Sequence, residues 1–286
     1  MKQKAKKNSL CLQRASILLL VIISSVGCKK SSLVKTNIAP GSNSANEASI
    51  KKVDIVDGLV AWYKFTNGNT KDLSGNNNDI TFNNATKTSD YFGNPNNAYY
   101  FNGKGNYMEI PNSSSLNPTG GITLAALVKP MAFYTGRCHG NRIIMKGSND
   151  FANGLYLLGY SDDQYNTDPC GTPVMMDKET FVGSYGNGQT NSAGVSSKPQ
   201  KVQLDKWYKL VFTYDGDTAK LYMCNVLVNQ APYKINFIPN NTPVRIGATL
   251  DSQYPYWFNG VIDEIRIYNK AVDKVQAMKI SDQLGM

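Results

Sequence analysis

The sequence predicts an all-β fold, a two-sheet antiparallel β-sandwich with one short C-terminal helix. Three observations predict it. Short segments carry the two-residue period of a strand, as in Tyr208, Leu210, Phe212 and Tyr214 alternating with Trp207, Lys209, Val211 and Thr213. The 24 Gly, 17 Tyr and many Asn suit strands joined by tight turns. Asp215-Gly216, between two alternating runs, is a hairpin signal. Of the 286 residues, a single sandwich of about 200–230 is the economical reading, because all-β domains reach that length.

The first residues are not part of it. Lys2 to Arg14 is basic and Ser16 to Val26 apolar, the pattern of a secretory signal over residues 1–27. The apolar run falls short of the roughly 20 residues that span a bilayer. Ser25-Val-Gly-Cys28 resembles a bacterial lipoprotein signal, in which the Cys is diacylated and becomes the new N-terminus; Ser25 stands where Leu is usual. An ordinary signal cut near Gly27 is the alternative. Lipidation at Cys28 implies an outer-membrane or cell-surface location after secretion, with the membrane engaged only through the lipid. Residues 28–52 hold Ser, Asn, Lys and Ala and no aromatic, too little apolar area for a core. Residues 29 to about 50, a coil of ~22 residues, form a tether on the order of 25 Å long.

The domain then runs over residues 53–286. Its net charge is modest: the chain carries +9, but residues 1–27 hold five basic residues and no acid, which leaves 25 basic against 21 acidic, or +4. With no basic cluster interleaved with aromatics, nucleic acid is excluded as a partner. Gly58 to Phe65 reads as the first strand, followed by a loop from Asn67 to Asp79 dense in Asn, Gly and Asp. Strands follow at 79–82, 98–103 and 106–111. Ile122 to Pro130 is a nearly unbroken apolar run, as expected of a strand covered on both faces, with Pro130 ending it. Segments 142–147 and 154–159 are further strands. Residues 160–200 lack strong periodicity apart from Phe181–Tyr185, and a loop of that length is uncommon unless functional. A hairpin at 206–228 and a strand at 244–247 come next. Trp207 reads as a core anchor. Asp273 to Leu284 reads as the helix, N-capped by Asp273 and packed through Val275, Met278 and Leu284.

The last strand, Trp257 to Asn269, poses a problem of burial. Alternation puts Val261, Asp263, Ile265 and Ile267 on one face, and Ile262, Glu264, Arg266 and Tyr268 on the wetter other. Asp263 is then a carboxylate among aliphatics and needs hydrogen-bond donors or a cation.

"FNGVIDEIRIYNKAV", the 67–79 loop and the 206–228 hairpin together resemble bacterial LamG-like jelly-roll domains of the concanavalin A-like lectin/glucanase superfamily. The resemblance implies a jelly roll in which that loop lies near the end of the last strand and often binds calcium. Asp72, Asn78 and Asp263 are then the candidate metal ligands, with calcium as a structural ion, since it takes 6–8 oxygen ligands in flexible geometry. In the other reading, Asp72 and Asn78 cap turns and Asp263 accepts loop N–H groups. The two readings stand level.

With Cys28 lipidated, three cysteines remain in the exported chain. Cys138 and Cys170 both lie in loop-like sequence and are the expected disulfide in an oxidising compartment. Cys224, where the family hairpin has its Asn-Gly turn, is free or displaces one of them. The chain shows no Glu-x-Asp-x-x-Glu run for glycoside hydrolysis, and one histidine, His139. A non-enzyme is therefore expected. Tyr254, Tyr256 and Trp257 are the candidate ligand-binding residues, with Tyr134, Tyr160, Tyr165 and Tyr185 in other loops, because aromatic rings suit the apolar faces of sugars. Alternatively Tyr256 and Trp257 cover the sandwich edge. The expected function is a non-catalytic lectin-like module for envelope or extracellular carbohydrate; the alternative is a structural or adhesion module with a protein partner.

Overall fold

The computed structural model describes residues 28, 54–136, 138–147, 154–162, 179–187 and 192–286. The signal, the tether beyond Cys28, Tyr165 and Cys170 lie outside the described residues. The early strands are β1 (Leu59–Tyr63), β2 (Phe82–Asn83), β3 (Thr86–Thr88), β4 (Ala98–Asn102) and β5 (Met108–Ile110). Then come β6 (Ile122–Ala132), β7 (Asn141–Lys146), β8 (Leu155–Ser161), β9 (Thr180–Gly186) and β10 (Ser192–Ser196). The last are β11 (Tyr208–Tyr214), β12 (Thr218–Met223), β13 (Val226–Pro232), β14 (Val244–Ile246) and β15 (Asn259–Tyr268), followed by α1 (Lys274–Gln283).

These strands form two antiparallel sheets. The first has the order β13-β12-β11-β6-β15-β4-β3, with β1 also on β15; the second has β10-β9-β8-β7-β14-β5-β2. Their facing sides share one core, to which Phe101, Leu124, Ile144, Tyr208, Phe212 and Ile265 contribute. A smaller cluster lies on the outside of the first sheet, where Ala277, Ile280 and Leu284 cover Ala125, Leu127 and Val211. So β6 is covered on both faces, which explains its unbroken apolar run. It also continues past Pro130 to Ala132, beside a register shift at Asn259 and Gly260 of β15, a setting that tolerates a strand proline. Residues 160–200 contain β9 and also β10, which pairs with it and which the sequence pattern did not show.

β15 is the hub of the first sheet. β6 runs along one edge, while the other is shared by β4, opposite Asn259–Ile262, and β1, opposite Ile265–Tyr268. At the handover a bulge shifts the register with β6 between Ile262 and Glu264. The extra residue breaks the alternation. Ile262, Ile265 and Ile267 face the main core, and Asp263 and Glu264 both turn to the outer side beneath the end of α1, where Gly285 N–H donates to Glu264 at 2.8 Å and Tyr91 N–H to Asp263 at 3.0 Å.

This corrects the strict alternation expected of that strand. The Glu264–Arg266 face is not the wetter one either: the two residues are 1% and 3% exposed. Arg266 Nε donates to Glu264 Oε1 at 2.6 Å, Trp62 Nε1 donates to the same oxygen at 2.7 Å, and the guanidinium lies 4.8 Å from the Trp62 ring. The charge pair is sealed by an indole and by the chain end.

α1 starts where expected. Asp273 accepts from Gln276 N–H at 2.8 Å and Gln276 Oε1 accepts from Asp273 N–H at 3.1 Å, a reciprocal capping box. Its packing face is Ala277, Ile280, Ser281 and then Leu284, whereas Val275 and Met278, expected to pack inward, are exposed. Trp207 is half-buried on the outer cluster, its ring 5.7 Å from Tyr91, so it braces the outside of the sheet and not the core between the sheets.

Cys28 is bonded to Cys224, with Cα atoms 5.3 Å apart. Cys224 and Asn225 have φ of 50° and 70°, the paired left-handed conformation of a two-residue hairpin turn between β12 and β13. A sulfur in a disulfide cannot also carry a thioether. Lipidation at Cys28 and this bridge therefore exclude one another in any single chain. Cys138 is also disulfide-bonded, and its expected partner Cys170 lies outside the described residues.

Candidate functional site

The three candidate metal ligands separate into two places. Asp72 sits beyond the free edge of β1. Its Oδ1 accepts Trp62 N–H at 3.0 Å and Ser74 N–H at 2.8 Å; its Oδ2 accepts the Ser74 hydroxyl at 2.8 Å and Asn78 N–H at 3.0 Å. Asn78 is buried and spends its side chain on Val60 O, Ser115 Oγ and Ser113 Oγ. Asp263, on the other side of β1, accepts Tyr91 N–H. The donors are N–H and O–H groups, and among the described residues no group of three or more His, Cys, Asp or Glu converges as a metal site. The expected calcium set of Asp72, Asn78 and Asp263 does not fit a single cation. The geometry is that of turn caps and a carboxyl held by a loop N–H.

Asp263 remains the unusual group. Burial pushes its pKa up to about 7; the Tyr91 N–H opposes this, and the charges of Asp90 and Glu264 add to it. A second buried acid, Glu179, is 0% exposed, and neither of its oxygens has a hydrogen-bond partner among the described residues. Burial, then the charge of Asp162, pushes it up to about 9. His139, buried, contacts Asp162 at 3.2 Å. Both acids are buried, Asp263 at 4% and Glu179 at 0% exposure.

The ligand candidates fare differently. Tyr256 is 1% exposed, with the Arg142 guanidinium 4.5 Å from its ring centre and the Tyr134 ring 6.2 Å away. Its φ of 45° turns the chain so that its ring goes inward. It is a wall, not a platform. Tyr254 is half-buried beside it at 6.3 Å. Tyr160 and Tyr185 belong to the main core.

Trp257 lines a cavity. A cleft of about 560 Å3 is lined by Asn102, Lys104, Phe133, Tyr134, Trp257 and Asn259, with small residues between them. It lies at the end of the first sheet, where β4 ends, β6 ends and β15 begins. Tyr107 stands 6.2 Å from Trp257 at an interplanar angle of 30°, and Phe82 stacks on Tyr107 at 4.6 Å. Tyr107 packs beside Trp257 and is not itself among the residues that line the cleft. Arg245 lies 4.3 Å from the Tyr107 ring and pairs with Glu109 at 3.0 Å, which stiffens the stack from below. The opposite wall is Tyr134, whose hydroxyl lies where a Cβ on Gly136 would stand, at 2.1 Å. Burial raises the Tyr134 pKa. The amide of Asn259 reaches Asn102 O at 3.2 Å, and Gly103 N–H donates to Phe258 O at 3.1 Å. Chemically the site offers an aromatic face, a phenol, two amides and one ammonium. No carboxylate is among the described residues that line it.

A family model of the concanavalin A-like lectin/glucanases superfamily, Laminin_G_3, matches residues 102–276. The chain belongs to this superfamily. No curated protein matches it. Among solved structures it is similar to the binding domain of Paraclostridial Mosquitocidal Protein 1, with a TM-score of 0.60 and 13% identity, over 81% of this chain and 53% of that one. Domain 4 of AbnA, an extracellular arabinanase from Geobacillus stearothermophilus, solved in complex with arabinotriose, gives 0.52 and 19% over 78% and 98%. The binding domain of botulinum neurotoxin DC in complex with SialylT gives 0.57 and 12% over 81% and 52%. At these identities the likeness speaks for the fold alone, and the chain spans about half the length of the two toxin domains.

Within the superfamily fold, the cleft draws on residues that sequence reasoning did not single out. Asn102, Lys104 and Asn259 were missed, and the signal for the first two was the turn Asn102-Gly-Lys-Gly-Asn106. Its glycines have φ of 69° and 119°, and Asn106 Oδ1 accepts Asn102 N–H at 3.0 Å. Such a turn is ordinary in sequence. It acquires meaning only beside Trp257.

Proposed function

We propose that the chain is a non-catalytic glycan-binding module and that its sugar site is the Trp257 cleft. One observation carries the reading: an indole packed beside Tyr107 lines a polar cavity large enough for a sugar residue, with the Asn102 and Asn259 amides on the same lining and part of their hydrogen-bonding capacity left for hydroxyls. Aromatic rings receive the C–H faces of sugars, and amides both donate to and accept from hydroxyls. Superfamily membership supports the reading, as do structural neighbours solved with arabinotriose and SialylT. The non-catalytic part rests on the lining. Glycoside hydrolysis asks for two carboxyl groups flanking the bond, and Asp263 and Glu264 are 4% and 1% exposed under α1.

Export belongs to the same reading, through the basic and apolar leader of residues 1–27. Anchoring by a lipid on Cys28 is the form suited to a surface module; the bridge to Cys224 is the competing form.

The test is a glycan array probed with the full mature chain and with Trp257→Ala. The wild type should bind at least one glycan class, and the variant should lose about tenfold at unchanged melting temperature, the loss expected if the aromatic contact contributes about 1.4 kcal/mol. Equal binding by the two proteins would remove the site assignment. Binding to no glycan would turn the reading toward protein adhesion.

A further inference from the structure

The cleft has a sign as well as a shape. Of the described side chains that line it, Lys104 alone is charged, and it is exposed. Lys104 makes no ion pair among the described residues, whereas Arg245 has an ion-pair partner and the Asp251 carboxylate has N–H donors in its own loop. Arg245 is paired with Glu109 at 3.0 Å. Asp251 turns Oδ1 onto its own loop, accepting Gln253 N–H at 2.7 Å and Tyr254 N–H at 3.3 Å. What is left at the mouth is one uncompensated positive charge with an apolar wall, Trp257, on the same cavity.

The backbone holds that charge in place. Lys104 N–H donates to Asn102 Oδ1 at 2.8 Å, and Asn106 Nδ2 donates to Asn84 O at 2.7 Å, so the turn is tied to its own base and to the neighbouring segment. Gly103, with φ 69°, packs so closely on Asn259 that a Cβ would stand 2.9 Å from the Asn259 Cβ. The turn therefore keeps its place over the start of β15. A lysine on a fixed turn is a positioned point charge on a flexible stem. Its complement is an anionic group on a ligand whose ring lies against Trp257.

We propose that the cleft selects glycans that carry a carboxylate, with Lys104 as the counter-charge. This rests on the sugar-site reading above and deepens it. A sugar ring on Trp257 presents its apolar face to the indole, its hydroxyls to the two amides, and its carboxylate to the ammonium at the rim. A uronic acid and a sialic acid share that chemistry. Because Lys104 is exposed, its share of the affinity is that of a surface ion pair, screened by salt.

The experiment measures binding of the full mature chain, Lys104→Gln, Lys104→Arg and Trp257→Ala to a uronic-acid oligosaccharide, a sialylated oligosaccharide and the neutral counterpart of each. It is run at about 50 mM and about 500 mM salt, a range over which screening changes severalfold. The wild type should prefer at least one acidic glycan over its neutral counterpart by about two- to fivefold at low salt, and the preference should shrink at high salt. Whichever of the two arms shows it names the source of the carboxylate. Lys104→Gln should bind acidic and neutral forms alike; Lys104→Arg should keep the preference. Equal binding of acidic and neutral forms by the wild type, or a preference that survives Lys104→Gln, overturns the inference while leaving the sugar site standing. No binding to any glycan overturns the sugar site itself. Loss of all binding in Trp257→Ala, with selectivity lost only in the Lys104→Gln variant, is the result that separates the two claims.

Discussion

Asp263 and Glu264 lie on the same outer side of the first sheet although they are neighbours in one strand. The bulge between Ile262 and Glu264, at the point where β15 exchanges β4 for β1, brings them together. Glu264 has a partner for its charge in Arg266, and Asp263 has an N–H from Tyr91. The two carboxyls are thus held in different ways, and they respond differently to substitution.

Asp263 should make stability fall with rising pH. Its folded pKa is about 7, against 3.8 for the unperturbed group. A carboxyl raised on folding costs nothing while it is protonated in both states, and the cost grows from about pH 4 until it is full above about pH 7. Asp263→Asn keeps an acceptor for Tyr91 N–H and has no charge to bury. The variant should melt several degrees above the wild type at pH 8, with the gap closed by pH 4. Melting curves across that range check it, and a gap independent of pH would contradict it.

Glu264 should instead lose stability on substitution. Glu264→Ala leaves Arg266, 3% exposed, without its counter-charge and frees the Trp62 indole N–H. Breaking a buried pair from one side costs about 3–5 kcal/mol, more than replacing both partners by apolar residues. Urea unfolding of Glu264→Ala and of the double variant Glu264→Leu/Arg266→Met should show the single variant as the less stable of the two.

The turn around Asp72 should be insensitive to calcium. Each Asp72 oxygen already accepts two donors. Asp72→Ala removes these acceptors and should cost about 2–3 kcal/mol, within the range for leaving part-buried donors unpaired. The same loss should be seen in calcium and in a chelator. A wild-type melting temperature that rises with calcium, together with loss of that rise in Asp72→Ala, would restore the metal reading.

The fate of Cys28 should be visible in the intact mass of the mature protein. Bridging to Cys224 closes a sequence separation of 196 residues. In that form Cys224→Ser should cost about 2–5 kcal/mol. Acyl chains on Cys28 would instead leave Cys224 a thiol, with Cys224→Ser close to neutral.

Much of the fold was legible in the sequence because its signals are local. The alternation of Tyr208, Leu210, Phe212 and Tyr214 is the core face of β11, and Asp273 caps α1 through contacts three residues away. The two-sided burial of β6 could be read from its apolar run. The site was legible only in part. Trp257 was among the candidates because its residue type suits a sugar face, yet Tyr256 is equally aromatic and is buried. Sequence carries no sign of the left-handed turn at Tyr256 that sends one ring inward while its neighbour lines the cleft.

By itself the sequence determined most of the strands, though not β3 or β10, where several of them turn and where the helix begins. Those properties depend on residues within one or two turns of each other. The tertiary structure alone decided which side of the sheet Asp263 occupies, because a bulge depends on the partner strands. It alone decided that Asp72 and Asp263 do not meet, since β1 lies between them. It also assembled the cleft, whose walls come from the ends of β4, β6 and β15 and from a turn carrying one lysine. Residues so far apart in the chain become a site only when two sheets pack and bring their strand ends together.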